Sequence, residues 1–332
     1  MFKNLLVTGG CGFIASNFIN YYIKHNPTIN IINVDAMYYC ASEANINNNI
    51  RDCRRYKFVK GNICSYDLMS FVLNTYEIDS VIHFAAQSHV QNSFSDALQY
   101  TQDNIVGTHT LLEACHKYGK IKRFVHVSTD EVYGESLLED SAKKTEQSIL
   151  CPTNPYAATK AGAELIAHSY YHSFKMPIII TRGNNVYGPN QYYEKLIPRF
   201  VKLLMENQKV TIQGDGKQVR AFLYVEDVCR AFECVFEKGV VGEIYNIGCD
   251  DIHHEYTVRE VAEILIKKIK QTDNYDEWIE HIVDRPFNDK RYFISNDKLK
   301  NLGWVIQWSF DKGTDSTIEW YKSIHGTKYF ND

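Results

Sequence analysis

Residues Val7 to Ser16 read VTGGCGFIAS. An apolar run, Leu5–Thr8, leads into them, and a helix-period pattern, Ile14–His25, follows. Gly9, Gly12 and Ala15 make G-x-x-G-x-x-A, and from Gly10 the same stretch reads G-x-G-x-x-A. Glycine permits a tight turn and lets a ligand approach the main chain closely. The helix that opens after the turn offers unpaired N–H groups to an anion. Strand, glycine turn and helix therefore read as the first unit of a dinucleotide-binding sheet, with a pyrophosphate at the helix start. Asp35 ends the next apolar run about 20 residues on, where a carboxylate binds a ribose 2′-OH and repels a 2′-phosphate. No arginine follows until Arg51. This favours NAD over NADP.

The same rhythm continues outward. Strand-length apolar runs lie at Leu5–Thr8, Ile31–Asp35, Lys57–Val59, Ser80–Phe84, Arg123–Ser128 and Pro177–Arg182. Helical patterns lie between them at Ile14–His25, Asp67–Thr75, Asn104–Tyr118 and Ala157–Ser173. Buried strands alternating with helices predict an α/β fold with a Rossmann-type, doubly wound parallel sheet. After Asn184 the rhythm breaks. Leu196–Glu206 and Val258–Lys270 look helical, and Val210–Ile212 and Ile244–Ile247 look like short strands. We expect a dinucleotide-binding domain over 1–183 with a returning segment near 221–250. A smaller mixed α/β lobe would take 184–220 and 251–332.

Bulk properties exclude several classes. The net charge is −4 and no basic run occurs, so neither nucleic acid nor a membrane surface is an expected partner. The opening apolar run is too short for a secretion signal or a membrane span. Nine cysteines without a C-x-x-C read as reduced thiols in the cytoplasm. His168 and His172 stand four apart on a helical pattern, but no acidic third ligand is evident. Packing is the simpler reading, as is a polar turn for His253 and His254, and no metal is implied.

Two stretches carry chemistry. In HVSTDEVYGE, His126 to Glu135, an apolar strand runs into Thr129, Asp130 and Glu131. Adjacent carboxylates at a strand end are costly to bury unless they are used. In NPYAATKAGAE, Tyr156 and Lys160 stand four apart and share a helix face. A lysine beside a tyrosine lowers the phenol pKa and makes a general base. The chain has 23 tyrosines, so this spacing alone is weak. It gains weight by following both a glycine turn and a strand that ends in Ser128 and Thr129. GNIC, with Asn62 and Ile63, and HFAAQS, with the small Ala85 and Ala86, follow the third and fourth strands and fit either further cofactor contacts or simple packing.

Together these stretches resemble the extended short-chain dehydrogenase/reductases, and within them the nucleotide-sugar 4,6-dehydratases. The resemblance covers almost the whole chain. It runs through TGGCGFIAS, HFAAQSHV, STDEVYGE, NPYAATKAGAE, TRGNNVYGPNQYYEKLIPRF, GDGKQVRAFLYVEDV, YNIG and DRPFNDKRYFISNDKLKNLGW. It implies NAD held by Gly9, Gly12, Phe13, Ile14, Asp35, Asn62, Ile63, Ala85, Ala86, Tyr156, Lys160 and Asn185. It implies dTDP-glucose or UDP-glucose as substrate, contacted by Ser88, Thr129, Asn184, Glu194, Lys195, Arg220, Asn246, Arg285 and Asn288. In the implied reaction Tyr156 takes the proton of the sugar 4-OH while C4 gives hydride to NAD. Glu131 then removes the C5 proton, Asp130 protonates the leaving C6 hydroxyl, and hydride returns to C6. The Asp-Glu pair separates dehydratases from the related 4-epimerases and decarboxylases. A silent NAD-binding sensor would be expected to lack Tyr156, Lys160 or an acid. The chain departs from bacterial members at Asn62, where they usually have Asp, and near Asn288, where they usually have His.

Assembly is also legible. Asn104–Tyr118 carries Ile105, Thr108, Leu111, Leu112 and Cys115 on one face, with Val106 and Thr110 on others. The helix after Tyr156 is apolar around much of its circumference. A helix apolar on two sides is covered on both. This predicts a homodimer through a four-helix bundle, with Leu112 and Tyr171 as contacts.

Overall fold

The computed structural model describes residues 2–139, 142–249, 254–283 and 289–324. Arg285, Asn288 and His253 lie outside the described residues. Strands β1 (Asn4–Thr8), β2 (Asn30–Asp35), β3 (Tyr56–Lys60), β4 (Ser80–His83), β5 (Arg123–Thr129) and β6 (Ile178–Gly183) match the six apolar runs within one or two residues. They are followed by β7 (Asn185–Tyr187), β8 (Val210–Gln213), β9 (Val219–Tyr224), β10 (Ile244–Ile247), β11 (Glu255–Thr257) and β12 (Ile279–Ile282).

Seven strands form one sheet in the order β10-β6-β5-β4-β1-β2-β3. Every pairing in it is parallel. Such a sheet must be covered on both faces, and the chain supplies both covers. Leu5 and Val7 face a cluster with helices Phe13–His25 and Val225–Lys238. Leu6 faces the opposite cluster, under helices Tyr66–Thr75, Gly107–Tyr118 and Pro155–Phe174. The chain direction of winding reverses between β1 and β4, so the loops at their carboxyl ends diverge and leave a crevice.

A second lobe packs around Tyr187, Phe200, Leu204, Phe222, Leu265 and Phe310. It contains the small sheets β11-β9-β7 and β12-β8. The helices Val225–Lys238 and Phe310–Ile324 and the strands β7 and β9 were not marked in the sequence reading. The first was readable: Val225, Val228, Cys229, Phe232, Val235 and Phe236 recur at helical spacing and are buried.

One helix differs in form. The Asn104–Tyr118 pattern begins as a wide π turn, Thr101–Val106, before the α-helix starts at Gly107. The Asn104 side chain bonds both Gln87 and Thr159, which holds the turn open. A Cβ on Gly107 would lie 2.9 Å from Ile63. The wide turn directs Asp103 and Asn104 inward.

None of the nine cysteines is in a disulfide. Among the described residues no helix is long and apolar enough to cross a membrane.

Candidate active site

The crevice at the switch point is a single cleft, and the glycine turn forms one end of it. Gly9 has φ +70°, and a Cβ there would sit 2.7 Å from the Ala85 backbone. Only glycine lets the turn lie flat against the residues after β4. Gly12 precedes the first helix and contributes no side-chain cap to its first N–H groups, and Phe13 and Ile14, which open the helix, line the cleft. Asp35 closes β2 and accepts bonds from the N–H of Cys11 (2.9 Å) and Met37 (2.7 Å). Gly9, Gly12, Phe13, Ile14, Asp35, Asn62, Ile63, Ala85, Ala86 and Asn185 all line this one cleft. No arginine is among its described lining residues. A slot with bare glycines, an uncapped helix start, an acid at the end of β2 and no arginine among its described lining residues fits NAD.

The other end holds the candidate reactive side chains. β5 ends at Thr129, and a single 3₁₀ turn, Asp130–Tyr133, carries both acids into the cleft. Gly134 ends that turn with φ +76°; a Cβ there would meet the Cys151 carbonyl oxygen at 2.2 Å. Asp130 is 3% exposed and accepts bonds from Asn184 Nδ2 and Thr129 Oγ1. Burial pushes its pKa up to about 7, with the neighbouring Glu131 charge adding to the rise. Glu131 is also raised, first by burial. The hydrogen bond from Asn154 Nδ2 to Glu131 Oε2 (3.0 Å) opposes that rise by stabilising the charged form. The Glu131 charge disfavours a second charge on Asp130, which makes Asp130 the proton carrier.

Asn154 is a residue the sequence reading missed. Its Oδ1 caps the Pro155–Phe174 helix through Ala157 N at 2.9 Å, while its Nδ2 holds Glu131. One side chain thus fixes the distance between Glu131 and the helix that carries Tyr156. Asparagine before proline at a helix start was a usable signal. Behind Glu131, Tyr292 lies 3.5 Å from its Oε2 and donates to Asp289, which also accepts from Thr153.

Tyr156 and Lys160 lie one helical turn apart and both line the cleft. Here the expected electrostatics need correction. Burial, followed by the Glu131 charge, raises the Tyr156 pKa instead of lowering it. The Lys160 ammonium donates to the Val127 carbonyl, and burial brings its own pKa down to about 8. Beneath it His126 is fully buried, with neither ring nitrogen hydrogen-bonded among the described residues. Neighbouring His83 is held neutral by burial, at about 3, and His126 is lowered for the same reason. Neither imidazole therefore puts a second positive charge beside the lysine.

The substrate-side residues divide. Ser88, Thr129, Asn184, Glu194 and Lys195 line the cleft. Lys195 Nζ donates to the Ser88 carbonyl at 2.7 Å, and Tyr39 donates to Glu194 at 2.8 Å. Arg220 stands outside the lining on β9, over the Tyr292 ring at 5.3 Å, and its charge lowers both Asp130 and Glu131. Asn246 is a correction: it is 0% exposed and away from the cleft. It bonds Tyr133 and the Ser295 carbonyl, so it holds β10 to the strand-end turn and does not face a ligand. Among the described residues no three side chains are grouped to hold a metal.

The comparisons agree in kind. The family pattern for GDP-mannose 4,6 dehydratase matches residues 6–317. A trifunctional UDP-glucose 4,6-dehydratase/3,5-epimerase/reductase of Arabidopsis thaliana is 49% identical over 96% of the chain. The chain spans 47%, about half, of that relative's length. The dTDP-D-glucose 4,6-dehydratase of Homo sapiens is 45% identical, over 98% of this chain and 92% of its own. The crystal structure of a dTDP-glucose 4,6-dehydratase from Streptomyces venezuelae, solved with NAD bound, superposes with a TM-score of 0.91. It is 37% identical and covers 98% of each chain.

Proposed function

The chain belongs to the GDP-mannose 4,6-dehydratase family, and on that premise we propose that it converts dTDP-glucose or UDP-glucose into the 4-keto-6-deoxy sugar. One observation carries the reading. Asp130 and Glu131 emerge side by side from β5 into the cleft that also holds Tyr156, Lys160 and the glycine slot. When bound, NAD supplies the hydride acceptor for C4 and the hydride donor for C6. Tyr156 takes the proton of the 4-OH. The hydrogen bond with the Thr129 hydroxyl opposes the burial and the Glu131 charge that hold the tyrosine protonated, and the Lys160 ammonium, charged below about 8, stands one helical turn away. Oxidation at C4 acidifies the C5 hydrogen. Glu131 removes it, held on line by Asn154. Asp130, protonated below about 7, gives its proton to the departing C6 hydroxyl.

The residue set argues against a 4-epimerase, which needs no acid–base pair at C5 and C6. The overall change is redox-neutral, so the protein should be purified with NAD in place. Incubation with dTDP-glucose and UDP-glucose, side by side and without added cofactor, should yield a 4-keto product that absorbs in alkali. A preparation that turns over neither sugar, or depends on added NADP, contradicts the proposal. Nine thiols with no disulfide among them suit a reducing cytoplasm.

The functional unit is a homodimer, though not through Leu112. Leu112 is 0% exposed and faces the chain's own core, and Tyr171 packs against Gly242. The outward face of the Gly107–Tyr118 helix is polar, with His109, Glu113 and Lys117. Apolar surface is left instead at Leu98, Val106 and Leu165, which are 85%, 40% and 61% exposed. Light scattering should give twice the 38.5 kDa chain mass, and Leu165→Glu should halve it. A wild-type mass of one chain refutes the dimer.

A further inference from the structure

We propose that Tyr38, Asn62 and Asp103 form a latch that closes over the adenosine end of the cleft and keeps the dinucleotide in place between turnovers. The inference rests on the reading of the cleft as an NAD site.

The loop after β2 turns sharply. Met37 has φ +60°, a backbone that methionine rarely adopts, and it directs the following residue back across the cleft. The Tyr38 hydroxyl donates to Asp103 Oδ1 at 3.0 Å and accepts from Asn62 Nδ2 at 3.0 Å. Both partners are themselves anchored. Asp103 is 6% exposed, projects from the wide π turn, and accepts from Gln87 and Gln99 at 2.9 Å each. Asn62 Oδ1 accepts from Cys64 N at 2.8 Å. Tyr38, Asp35, Asn62, Ile63 and Asp103 line the same stretch of the cleft. One phenol therefore ties together the loops that follow β2 and β3 and the turn that follows β4.

The bonding has a direction. A phenol has one hydrogen, and the Asp103 carboxylate takes it. The third partner must then be a donor, which the Asn62 amide is and a carboxylate in its place is not. The Asn62 amide is thereby committed to the latch and to the Cys64 backbone. The hydroxyl keeps its hydrogen through the working range, since burial and Asp103 push its pKa up to about 12. Tyr39, the next residue, bonds Glu194 at the sugar end and takes no part. For the dinucleotide to leave, Tyr38 must swing out and break two hydrogen bonds. Retention suits a reaction that restores its cofactor in every cycle.

The test uses the full chain loaded with radiolabelled NAD and chased with unlabelled NAD. Tyr38→Phe removes one oxygen and should speed release about tenfold, the loss expected for two modest hydrogen bonds. Asn62→Asp should do the same without changing size. Tyr39→Phe should release label at the wild-type rate. Wild-type release from Tyr38→Phe overturns the latch, and so does equal acceleration in Tyr39→Phe, which would mark general loosening of the loop. Should Asn62→Asp fail to fold, Tyr38→Phe decides alone, because its side chain lies at the cleft mouth. If the wild type holds no labelled NAD, the proposed function falls with the latch; if NAD binds and its release is unchanged, the latch alone falls.

Discussion

Asp130→Asn and Glu131→Gln should each retain bound NAD and lose turnover by about 10²–10⁴, the range for a positioned acid or base. Both substitutions keep volume and remove the ability to carry a proton. In Asp130→Asn the new amide oxygen can still accept from Asn184, and the Thr129 hydroxyl can turn to accept from the new amide nitrogen. The fold should therefore survive. Stability at alkaline pH should in fact rise in Asp130→Asn. The folded pKa of Asp130 is about 7 against an ordinary 3.8. A group raised in this way adds its full stability only below 3.8 and loses it as pH climbs through about 7. At pH 8 the buried charge costs roughly 4 kcal/mol, at about 1.4 kcal/mol per unit. The amide has no such cost, so thermal melting at pH 8 should shift upward while activity collapses. In the wild type, kcat/KM should fall as pH rises through about 7, where Asp130 loses its proton. It should also fall on the acid side, above the ordinary glutamate value, where Glu131 gains one. Near-normal turnover in both variants would make the pair structural.

Tyr156→Phe should stop the sequence one step earlier, with a loss of the same order, about 10²–10⁴. The two kinds of variant differ in what accumulates. Glu131→Gln can still oxidise C4, so a 4-keto glucose builds up on the protein and takes label at C4 when quenched with tritiated borohydride. Tyr156→Phe has no acceptor for the 4-OH proton, so no C4 label should appear. The C5 hydrogen should also fail to exchange with solvent, because it becomes acidic only next to a ketone. Labelling in Tyr156→Phe equal to that in Glu131→Gln would remove Tyr156 from the oxidation step. Asn154→Ala offers a finer probe. It should lower turnover while leaving NAD binding intact, by releasing Glu131 and the helix start together.

The parallel sheet was legible because its strands are buried on both faces and read as unbroken apolar runs. The glycine turn was legible because its conformation excludes side chains, as the 2.7 Å approach of Ala85 shows. The candidate reactive residues stand in motifs, and all five of Thr129, Asp130, Glu131, Tyr156 and Lys160 line one cleft. What escaped was contact across long chain separations. Asn246 looked like a ligand residue in its motif, yet its partners Tyr133 and Ser295 come from elsewhere in the chain and bury it. Leu112 lay on an apolar face that its own core covers. The Tyr156 shift depends first on burial and then on a carboxylate 25 residues upstream, and spacing along one helix cannot register either. The π turn follows from side-chain bonds of Asn104 to Gln87 and Thr159, and helical periodicity carries no trace of them.

The central claim is that one cleft oxidises C4, eliminates across C5 and C6, and returns the same hydride to C6. It is tested most directly with substrate deuterated at C4, as dTDP-glucose or UDP-glucose, incubated in ordinary water and analysed by NMR. The account predicts a 4-keto-6-deoxy product with the deuterium at C6 and a solvent hydrogen at C5. Deuterium lost to solvent, or retained at C4 of a sugar inverted at that carbon, would contradict it.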